Sequence, residues 1–171
     1  MVAAKPKKSS PTWNDVKGKV AGFNRAGLVG LLQALYAASK DNRAFLHARL
    51  GLGADPLEPF KVTIKRWLWP DVLKDQSTSV SAAKKAIADY KTATGRSEGL
   101  AELMVFYCEC AAGFSNSVGY EDGVYFDALM RMFEQALKLS LTLPADQRDA
   151  YLNFGEGLSV GFARHRYDQA E

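Results

Sequence analysis

The sequence predicts an all-α protein. Apolar residues recur at intervals of three and four along most of the chain, and no segment alternates apolar with polar as a half-buried strand would. Capping residues and Gly or Pro stops divide the chain into lengths typical of helices. Seven or eight helices are expected. Short links between them imply antiparallel neighbours, as stacked helical hairpins or an irregular bundle, with a short tetratricopeptide-like solenoid as the alternative.

Residues 1–11, MVAAKPKKSSP, hold Lys, Pro and Ser with little apolar content and are expected to be a disordered basic tail; residues 12–171 are expected to form a single all-helical domain. In TWNDVKGKVAGF, Trp13, Val16, Val20 and Phe23 fall at helical spacing, although Gly18 and Gly22 weaken the helix. NRAGLVGLLQALYAAS follows, with Asn24 as a cap and Leu28, Leu31, Leu32, Leu35 and Tyr36 as an apolar stripe. DNRAFLHARLG reads as a short helix from an Asp/Asn cap to Gly51 at C′.

In DPLEPFKVTIKRWLW, Asp55 is the expected cap and Pro56 the first helical residue. Leu57, Phe60, Ile64, Trp67 and Leu68 then face a core until Pro70 stops the helix. DVLKDQSTS is the most loop-like interior segment. SAAKKAIADYKTATG runs from a Ser cap to a Gly stop, with Ala83, Ile87 and Tyr90 inward.

The C-terminal half carries the longest helices. From Ser97, the residues Leu100, Leu103, Met104, Tyr107, Cys110, Ala111 and Phe114 share a broad face. A turn at VGY leads to a helix with Val124, Leu129, Met132, Phe133, Ala136, Leu137 and Leu141 inward. Pro144 ends it, and a last helix is expected from Asp146 through Tyr151, Leu152 and Phe154.

Net charge is +3, but residues 1–96 hold 17 Lys/Arg against 7 Asp/Glu, whereas residues 97–171 hold 5 against 12. Such polarity suits either two attracting halves or a basic binding face. No apolar run reaches the ~18 residues of a membrane span, and the basic N-terminus has no following apolar stretch of a secretory signal. With two cysteines and no framework spacing, a cytoplasmic location and no membrane partner are expected.

The succession SAAKKAIADYKTATG, LAELMVFYCECAAGF and GYEDGVYFDALMRMFEQALKL resembles a family of small bacterial proteins catalogued only as a domain of unknown function. LVGLLQALYAASKDNRAFLHARLG and FKVTIKRWLWPD are compatible with it, so the resemblance spans about Leu28 to Leu141. It implies an all-helical fold and no activity, and it brings no functional residues. Tyr120, Phe133 and Ala136 also sit at offsets compatible with a tetratricopeptide hairpin, but no period of about 34 residues repeats.

Cys108 and Cys110, the only cysteines, are two residues apart. On a helix that separation turns the sulfurs ~200° from one another, so they cannot grip one ion, and Cys110 aligns with core residues instead. Cys108 is expected on another side. No zinc-type ligand set accompanies them, and Glu98, Glu102, Glu109, Asp127 and Glu134 lack the Glu-x-x-His of a di-iron bundle. No metal and no cofactor are expected. His47 and His165 are isolated from one another, and no phosphate-loop, nucleophile-elbow or dinucleotide pattern occurs.

FKVTIKRWLWP is the segment richest in binding chemistry. Cations beside aromatics hold phosphates and stack bases, which makes Lys61, Lys65, Arg66, Trp69, Lys84 and Lys85 the candidate binding residues. A solvated face of an amphipathic helix accounts for the same residues. With no catalytic constellation evident, the expected function is non-enzymatic protein–protein interaction, self-association included. Nucleic-acid binding and an enzyme using Glu102, Glu109, Asp127 and Glu134 are the alternatives.

Overall fold

Caps and glycine stops set the helix boundaries in the computed structural model, which describes residues 10–148. Among the described residues there are seven complete α-helices, one 3₁₀ turn and no strand. The fold is all-α, as the sequence predicts. The residues fall into two units, 1–43 and 44–171.

The first unit contains α1 (Trp13–Val20) and α2 (Arg25–Ala38). Thr12 and Asp15 form a capping box at the start of α1, with the Thr12 N–H donating to Asp15 Oδ2 at 2.7 Å. That bond holds the Asp15 carboxyl below its usual range. The Asn24 side chain caps α2 by accepting from the Gly27 N–H at 2.8 Å. The two helices do not pack along one another. Neither contains a fully buried residue, and Leu28, Leu31, Leu32, Leu35 and Tyr36, spaced as a core face would be, are each 38–49% exposed.

A third helix, α3 (Lys40–Leu50), carries the chain from one unit into the next. Ser39, rather than Asp41 or Asn42, caps it, its Oγ accepting from the Asn42 N–H. Gly51, at φ 65°, ends it with the paired C-terminal bonds Leu52 N–H to His47 O and Gly51 N–H to Ala48 O.

The second unit is built from α4 (Glu58–Leu68), α5 (Val80–Thr94), α6 (Ser97–Val118) and α7 (Gly123–Ser140). The start of α4 falls later than the sequence suggested. Asp55 accepts from the Leu57 N–H in a turn before the helix, and Pro59 rather than Pro56 occupies the first helical positions. Asp71 caps the 3₁₀ turn Val72–Lys74 inside the segment expected to be a loop. Ser79 caps α5, and the left-handed Gly95 and Gly119 end α5 and α6.

α6 is the centre of this unit and packs against α4, α5 and α7. Its core includes Ile64, Leu68, Leu103, Tyr107, Cys108 and Leu129, all essentially inaccessible. Each such large aliphatic side chain contributes about 1.5–3 kcal/mol on burial. Phe60 meets Tyr90 edge-on at 5.4 Å between ring centroids, and Phe114, Tyr120 and Tyr125 form a second aromatic group. On α3, Arg49 reaches across to the Ala93 carbonyl at 3.1 Å and satisfies one of the last carbonyls of α5.

Two expectations for the core change. Val124 and Leu141 are exposed, and Tyr125, Ala128 and Ser140 take the inward places on α7. Cys108 is fully buried, because α6 is covered on more than one side and so has no solvent face at that position. The helix expected beyond Pro144 is described only through its first turn, 145–148; its later residues, His165 included, and the tail up to residue 9 lie outside the described residues.

Candidate functional site

The candidate residues of FKVTIKRWLWP do not form one open patch. Lys61 leans from α4 onto α6, where its Nζ meets Glu102 Oε1 at 2.5 Å and lies 6.0 Å from the centroid of the Phe106 ring. The hydrogen bond to Glu102 is the main reason its ammonium pKa is raised, against the opposing effect of burial. Lys61 thus bridges α4 and α6. Glu109, two turns beyond Glu102, has its carboxyl raised by partial burial and lowered to a lesser degree by Lys61.

Lys65 is exposed, one turn further along α4. Arg66 stacks its guanidinium over the neighbouring Trp67 ring at 4.7 Å and leaves Nη1 buried without a hydrogen-bond partner. Trp69, at the C-cap of α4, is 40% exposed and rests its ring against Gly113 of α6. Only part of that ring is therefore open to solvent. On α5, Lys84 is half-buried and Lys85 pairs with Asp89 one turn on, at 2.5 Å. Lys61 and Lys85 are joined to carboxylates, while Lys65, Arg66 and Trp69 share one end of α4.

The carboxylates of the enzyme alternative have separate settings. Glu102 holds Lys61, and Asp127 faces Arg131 at 4.0 Å on an exposed turn of α7. Glu134 is exposed. Among the described residues no three His, Cys, Asp or Glu side chains converge to hold a metal ion. Both thiols are unpaired, and burial pushes each up to about 12, which keeps them protonated and unreactive at neutral pH.

The feature that residue-by-residue reading underrates is α2. Arg25 and Lys40 bracket fourteen positions without a charge. Leu28, Val29, Leu31, Leu32, Leu35 and Tyr36 are each 38–56% exposed. At about 100° per residue they occupy an arc of ~160°, with Ala26, Gly30, Ala34 and Ala37 on the opposite side. The signal was present in the missing charges, since a helix apolar on nearly every side is normally covered by something.

The features in hand define an all-α helical protein with a bundle unit and a helix whose apolar residues are partly exposed, and among the described residues no helix is long and apolar enough to cross a membrane. Comparison with the models of known families, with curated proteins and with solved structures finds no match.

Proposed function

We propose that this chain is a non-enzymatic, cytoplasmic protein–protein interaction module, related to the domain family it resembles in sequence. The observation that carries the reading is the exposed apolar face of α2, because a patch of this kind marks a contact surface on a folded protein. Two unpaired, buried thiols accord with a reducing compartment. The test is affinity capture from native lysate with the native chain and with Leu32→Glu, each with and without nuclease. Specific partners lost in Leu32→Glu and retained after nuclease support the reading. Equal capture by both chains sinks it.

A second reading is nucleic-acid binding through the end of α4. It is favoured by one observation: exposed Lys65 and the part-exposed Trp69 lie together there, next to the half-buried Arg66. A gel-shift titration at low salt tests it. Binding that weakens steeply as salt rises, and falls in Lys65→Ala, supports this reading, and absence of a shift removes it.

A further inference from the structure

We draw no further inference here: the strongest candidate, the part-exposed apolar face of α2, is the surface on which the proposed function already rests, and nothing in the structure shows what covers it.

Discussion

The ring of Trp69, at the end of α4, closes against the backbone of Gly113 in the C-terminal part of α6. A methyl group at Gly113 would lie 2.9 Å from Cη2 of that ring and closer still to Cζ3. Gly113→Ala is therefore expected to cost about 1–3 kcal/mol, the usual penalty of overpacking. Denaturant titration measures the loss, and tryptophan emission should shift because Trp69 is displaced. The double variant Gly113→Ala/Trp69→Ala should show less than the sum of the two single losses, since the second change removes the overlap.

The thiols give a sharper contrast with the sequence. Helical geometry separates Cys108 from Cys110, and sequence alone would leave Cys108 accessible. Both are buried in fact, and burial raises each to about 12. At pH 8 neither should react with a thiol reagent in the native protein, and two equivalents should react on unfolding. One fast equivalent in the native state would contradict the packing of α6.

Lys61 and Glu102 carry a pH-dependent part of the stability. The folded-state pKa of Lys61 is raised above 10.5, so its contribution is fully present below that value and is lost as pH rises through the higher folded value. Solvent reaches 21% of the lysine side chain and 44% of the glutamate, so the coupling should be that of a surface pair, about 0.2–1 kcal/mol. A double-mutant cycle of Lys61→Met and Glu102→Gln at pH 7, repeated above pH 11, measures it; a coupling unchanged at high pH is the result that excludes this pair.

Glu109 also has a raised pKa, but its cause is burial, which disfavours the charged form. Its raised carboxyl pKa favours the protonated form in the folded state, so its effect on stability is best below pH 4.5 and worsens as pH rises through the folded value. Glu109→Gln should remove that dependence and leave the midpoint of denaturation at pH 7 equal to or slightly above the native one. A clear loss of stability at pH 7 would refute this account.

The bundle was legible in the sequence because its helices are amphipathic. Ile64, Leu68, Ala83, Ile87, Tyr90, Leu103, Tyr107 and Phe114 lie where periodicity places them. The sites were less legible, for two physical reasons. Lys61 and Lys65 look alike on a helical wheel, and only the approach of α6 distinguishes the lysine held by Glu102 from the one in solvent. Periodicity also reports that α2 has an apolar face without reporting whether this chain covers it. Trp69 could not be placed at all, since its position depends on a glycine forty-four residues away.

Tyr125 illustrates how the end of α4 is closed. Pro70 prevents the helix from continuing, so the Leu68 carbonyl loses the partner that a further turn would supply. The Tyr125 hydroxyl takes that place from α7, donating to Leu68 O at 2.6 Å in a buried setting. Burial also raises the phenol pKa, which keeps the donor protonated across the physiological range. Tyr125→Phe keeps the ring and its contacts with Phe114 and Tyr120 but leaves a buried acceptor unpaired. The expected cost is about 1–3 kcal/mol in denaturant titration. Phe114→Leu provides the comparison, since it disturbs the same aromatic group without touching the hydrogen bond. Hydrogen exchange should separate them: Tyr125→Phe should speed exchange at the Trp69 amide, which bonds to Lys65 O at 2.8 Å in the last turn of α4, more than Phe114→Leu does. Equal acceleration in the two variants would mean that ring packing, rather than the hydroxyl, holds that turn closed.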